Sequence, residues 1–99
     1  QHQEAGKYID LVVNAAIENQ NPQCVEKAYY FKGCLLAESG NFPMAETYLS
    51  VSLDMLLKRG RTKELAKRYR DLAEVYYKME KKEDAIRYFA LSIQLEGHI

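Results

Sequence analysis

Among its 99 residues the sequence has no tryptophan, two cysteines and two histidines, and each scarcity removes a class of function. His2 and His98 stand at the two ends, and no Cys/His/Asp spacing between them suits a metal. Neither a glycine-rich phosphate loop nor a nucleophile elbow occurs, so no catalysis, no metal and no other cofactor is expected. Cys24 and Cys34 are too few for a disulfide framework. On a shared helix they would lie about 15 Å apart along the axis, whereas a bridge needs Cα atoms within about 7 Å. They read as free thiols of a reducing compartment. No apolar run approaches the roughly 18 residues that span a bilayer, and no signal-peptide pattern is present. A cytoplasmic location without membrane contact is the expectation, and because the first residue is Gln1, a further segment is expected upstream.

Net charge is also absent, since fourteen cations balance fourteen anions. The balance is uneven along the chain: Lys58, Arg59, Arg61, Lys63, Lys67, Arg68 and Arg70 crowd into residues 58–70 against the single anion Glu64. Nucleic acid is not the expected partner of this segment. The chain is neutral overall, no recognition-helix module is evident, and cations near a helix C-terminus also favour its dipole.

What the sequence does have is an internal repeat. A shift of forty residues aligns Ala5, Ala45 and Ala85, and likewise Tyr8, Tyr48 and Tyr88. It also aligns Ile9, Leu49 and Phe89, and Val13, Leu53 and Ile93. Upstream of these, Tyr29 meets Tyr69, Gly33 meets Ala73, and Leu36 meets Tyr76. Apolar residues recur at three- and four-residue spacing rather than at two, which predicts helices and no strand. Five helices follow. The first covers residues 2–19 and carries Ala5, Ile9, Val12, Val13 and Ala16. Asn21 and Pro22 open the second as cap and first residue, and it ends near Ser39. Gly40 supplies the left-handed turn and Asn41 caps the third helix, which stops near Arg59 before Gly60. Thr62 is placed to cap the fourth, 63–79. Glu80-Lys81-Lys82 forms a turn without the expected glycine, and the fifth helix runs 83–96.

These residues resemble the tetratricopeptide repeat. Tyr29, Gly33 and Leu36, followed by Ala45, Leu49 and Ser52, match its pattern, as do Tyr69, Leu72, Ala73 and Tyr76, followed by Ala85, Phe89 and Ser92. Gly33, Ala73, Ala45 and Ala85 are small because two helices must approach closely there, with aromatic rings filling the space beside them. Lys32 departs from the pattern at a usual leucine, as do Glu80 and Lys82 at the second turn. The forty-residue period exceeds the family's 34 and is similar to the longer-helix variety of peptide-sensing bacterial regulators. The resemblance implies an all-α, right-handed solenoid of antiparallel hairpins in a single domain: a half repeat over 2–20, a repeat over 22–59 and another over 62–97. Two and a half units are fewer than about three, the usual minimum for such an array. The chain is therefore expected to be part of a longer protein, or to self-associate through Ile9, Val12, Val13 or the final helix.

The same resemblance implies a non-catalytic scaffold whose first helices line a groove for a protein or peptide, as in the sensor part of a bacterial regulator. The competing reading is an architectural or oligomerisation segment. The groove residues expected are Lys27, Tyr30 and Cys34 on one helix, and Lys63, Lys67, Arg70, Glu74 and Tyr77 on the other. The cations among them point to an acidic peptide. A terminal-carboxylate clamp of the family's kind is not expected, because Phe31 and Cys34 stand where asparagines would be needed and Asp71 opposes the cations.

Overall fold

The structure, a computed structural model, describes Leu11, residues 22–60 and residues 63–97. Four helices fall in these segments: α1 (Pro22–Glu38), α2 (Phe42–Lys58), α3 (Glu64–Lys78) and α4 (Lys82–Glu96). They correspond to the second to fifth expected helices, and no strand occurs among the described residues. The expected first helix and the caps Asn21 and Thr62 lie outside them, Leu11 excepted, which is helical. The helix after Gly60 begins at Glu64, one residue later than expected, and Lys63 at its cap makes no side-chain hydrogen bond.

Three-residue turns join α1 to α2 and α3 to α4, so each pair must fold back antiparallel, and the two hairpins meet through α2 and α3. The two turns are the same structure forty residues apart. In the first, the Asn41 amide donates to Leu36 O at 2.8 Å and the Gly40 amide to Ala37 O at 3.1 Å. In the second, Lys81 donates to Tyr76 O at 2.9 Å and Glu80 to Tyr77 O at 3.0 Å. Both are Schellman closures, which need a residue with positive φ after the helix. Gly40 (φ 87°) meets that need without strain, whereas Glu80 is forced to φ 64°. Asn41 also caps α2, its side chain accepting a long bond from the Met44 amide at 3.5 Å. At the equivalent place Lys81 has no such bond.

Ala45, Leu49, Leu53, Leu72, Tyr76 and Ala85 of the repeat's stripes enter the core, Leu56, Leu65 and Val75 join it, and the repeat-aligned Ile93 stays exposed. Ala45, Leu49, Leu53 and Leu56 of α2 meet Leu65, Leu72, Val75 and Tyr76 of α3, with Ala85 beneath. Gly33 and Ala73 are both buried, and Leu49 of α2 closes directly on Gly33. The repeated tyrosines pair across the hairpins: Tyr29 with Tyr48 (ring centroids 5.5 Å) and Tyr69 with Tyr88 (5.9 Å). Lys32, the departure from leucine, is part-exposed, and its ammonium lies 4.9 Å from the centre of the Tyr48 ring.

Candidate functional site

Along the crevice between the first helices of the two hairpins, rising numbers on α1 meet rising numbers on α3. Glu26 reaches Arg68, Tyr30 reaches Lys67 and Asp71, and Cys34 and Ala37 face Glu74 and Val75 across a cleft. The two helices therefore run parallel, and the crevice between them holds two clefts end to end.

The first cleft, about 250 Å³, lies beside the N-terminal halves of the helices and is lined by Lys27, Tyr30, Phe31, Glu64, Lys67 and Arg68. Its wall is an ion pair that the basic run concealed. Arg68 is 5% exposed and bonds to the fully buried Glu26, to Ser52 Oγ at 3.2 Å, and more loosely to Glu64 at 3.8 Å. Its guanidinium lies 3.8 Å from the centre of the Tyr30 ring. Glu26 Oε1 has no hydrogen-bond partner, so this carboxylate is only half satisfied in a dry place. Such a pair is held against a desolvation cost and is sensitive to losing either member.

The second cleft, about 260 Å³, adjoins the C-terminal halves. Leu49, Val75 and Ala37 give it an apolar floor, and Glu38, Asp71, Glu74 and Lys78 supply the charged groups around it. Cys34 lies on its wall, and burial pushes that thiol's pKa up, away from the reactive thiolate.

Between the clefts, Tyr30 joins α1 to α3. It was expected on the open face of the groove, but it is 8% exposed and belongs to the core. Its hydroxyl donates to Asp71 at 2.5 Å and accepts from Lys67, whose ammonium is also 3.4 Å from Asp71. Burial first, and the bond to Asp71 second, raise the Tyr30 phenol far above its ordinary range. The hydroxyl of Tyr76 donates to Glu46 of α2 at 2.8 Å, and its phenol is raised too, mainly by burial.

Of the groove residues expected from the sequence, Lys27, Tyr30 and Lys67 come together at the first cleft, and Cys34 and Glu74 at the second. Lys63, Arg70 and Tyr77 line neither. Arg70 instead pairs with Glu96 of α4 at 3.3 Å, and Tyr77 is 61% exposed beyond the crevice. The crevice also holds Arg68, Glu38, Asp71 and Lys78, none of them among the groove residues expected from the sequence. A signal for Arg68 was present: it falls on the stripe Leu65, Arg68, Leu72, Val75, whose three- and four-residue spacing marks the buried face of α3. Among the described residues no His, Cys, Asp or Glu group could hold a metal ion, and no helix is long and apolar enough to cross a membrane.

Two antiparallel hairpins, stacked through α2 and α3 with the first helices bordering one crevice, constitute a tetratricopeptide-like helical-repeat fold. The solved tetratricopeptide domain of Arabidopsis FLU matches it with a TM-score of 0.91, over 99% of this chain and 82% of that one, at 18% sequence identity. No family model matches the sequence, and no curated protein does.

Proposed function

We propose that the chain is a non-catalytic scaffold that binds a protein or peptide in the α1–α3 crevice. The observation that carries this reading is the pair of adjoining clefts, about 250 and 260 Å³ in volume, open between two parallel helices. Each is of a size to take one or two side chains, and they sit on rigid elements rather than on loops, as a preorganised site requires. The only thiol in the crevice is held away from its thiolate, and the buried carboxylate Glu26 is tied to Arg68. These arrangements suit binding better than catalysis. A random peptide library selected on the protein, then counter-selected on a correctly folded Ala37→Trp variant, tests the reading. Binders that the variant loses support it. Binders that the variant keeps place recognition elsewhere.

The narrower reading, the sensor part of a bacterial cytoplasmic regulator, rests on the forty-residue period alone. The neighbouring fold, a plant domain, adds nothing to it. The architectural alternative has its own observation. Leu53 of α2 is 5% exposed beneath α3, while its counterpart forty residues on, Ile93, is 69% exposed. Ile86, seven residues before Ile93 and so on the same outer face of α4, is also exposed, as is Tyr77 of α3. Sedimentation of the wild type and of Ile86→Ser/Ile93→Ser over a dilution series tests it: association that the variant abolishes supports a subunit contact through this face.

A further inference from the structure

The crevice has opposite charge at its two ends. The cleft beside the helix N-termini is bordered by three cations, Lys27, Lys67 and Arg68, and one carboxylate, Glu64. The cleft beside the C-termini is bordered by three carboxylates, Glu38, Asp71 and Glu74, and one cation, Lys78. Two pairs offset part of this: Arg68 is neutralised by Glu26, and Lys67 pairs with Asp71 across the middle of the crevice, which leaves Lys27 at the first end and Glu38 and Glu74 against Lys78 at the second. No ion pair among the described residues involves Lys27, Glu38 or Glu74.

The backbone adds to this gradient. Because α1 and α3 are parallel, their dipoles point the same way, positive at the lysine end and negative at the carboxylate end. Glu38 sits in the last turn of α1, which holds no basic residue, so it opposes its own helix dipole rather than complementing it. Local helix stability does not explain a carboxylate there, whereas a cationic ligand does.

Resting on the proposal that the crevice binds a peptide, we infer that its partner is an extended segment carrying charges of both signs in a fixed order. An acidic residue sits between Lys27 and Lys67, apolar side chains fill the clefts, and a lysine or arginine sits between Glu38 and Glu74. The dimensions set the spacing. Lys27 and Glu38 are eleven residues apart on α1, about 16 Å at 1.5 Å per residue. About five residues of extended chain, at roughly 3.3 Å each, cover that length. Clefts that each take one or two side chains, lying end to end along one line, suit an extended segment. The wholly acidic partner suggested by Lys63, Lys67 and Arg70 is thus matched at one end of the crevice only.

Three kinds of capped peptide with a common Leu-Phe-Leu centre test the inference by fluorescence anisotropy at low salt. One has an Asp-Asp pair and a Lys-Lys pair on opposite sides of the centre, made in both orders and scored by the tighter, one has acidic pairs on both sides, and one has lysine pairs on both sides. The first is expected to bind the wild type at least tenfold more tightly than the other two. On a Glu38→Lys/Glu74→Lys variant, shown by circular dichroism to be folded, the preference should invert to the doubly acidic peptide. If the doubly acidic peptide binds the wild type best and the charge swap leaves it unchanged, the charge order is wrong. The crevice itself would then still be judged by the Ala37→Trp counter-selection. Failure of all three kinds to bind also overturns the inference, whatever the library selection yields.

Discussion

A methyl group built on Gly33 of α1 would stand 2.7 Å from Leu49 Cγ of α2, closer than carbon atoms approach. The Leu49 amide nitrogen lies 3.2 Å from the same point, so rotating the leucine away relieves only part of the clash. Gly33→Leu is expected to destabilise the fold by about 1–3 kcal/mol or more, as overpacking does. That corresponds to a melting temperature lower by at least about 4 °C for a domain of this size. An unchanged melting temperature would mean that the helices of the first hairpin do not cross at this point.

The second turn carries strain that the first avoids. Glu80→Gly is expected to stabilise the protein by about 1 kcal/mol, the cost of a left-handed non-glycine residue less the entropy that glycine loses on folding. Lys81→Asn should add a similar amount by supplying the cap that Asn41 gives α2. Thermal melts of the two single variants and the double variant check this. A destabilised Glu80→Gly would contradict the positive φ at that residue.

How much was legible divides along this same line. Gly40, Asn41 and Gly60 announced their turns because few residues satisfy those backbone angles, and the forty-residue register carried the second turn over to Glu80. Helix boundaries and small residues at crossings follow from local rules in the same way. Which face of α3 meets α1 does not. The stripes Lys63-Lys67-Arg70-Glu74-Tyr77 and Lys67-Asp71-Glu74-Lys78 are both regular helical faces lying side by side, and only the tilt between hairpins selects the second. The burial of Tyr30 is not legible for a related reason. Its counterpart Arg70 has no following helix against it among the described residues, so position in the repeat alone does not reveal burial.

Arg68 and Glu26 are interdependent. Arg68→Met leaves a buried carboxylate with no counter-ion and is expected to lose about 3–5 kcal/mol, whereas Arg68→Met with Glu26→Leu should lose distinctly less. Urea unfolding of both variants measures the difference. Equal losses would show that the ion pair is not dry.

High pH should unfold the protein through its tyrosines. With the phenols of Tyr30 and Tyr76 raised in the folded state, the unfolded chain releases those protons first, near the ordinary phenol value of about 10. Stability from this source is fully present below that pH and falls as pH rises above it, by up to about 1.4 kcal/mol per pH unit for each tyrosine. Tyr30→Phe and Tyr76→Phe should each flatten the decline. A decline above pH 10 that is identical in the wild type and the double phenylalanine variant would refute the assignment.

The central claim, that the crevice between α1 and α3 is the binding surface, is tested most directly by amide chemical-shift mapping with a library-selected peptide. Large shifts are predicted at Lys27, Cys34, Ala37, Lys67, Asp71 and Glu74, with little change at Tyr77, Ile86 and Ile93. Shifts concentrated on those last three residues, with the crevice silent, would contradict the claim and make the outer face of the second hairpin the site of recognition.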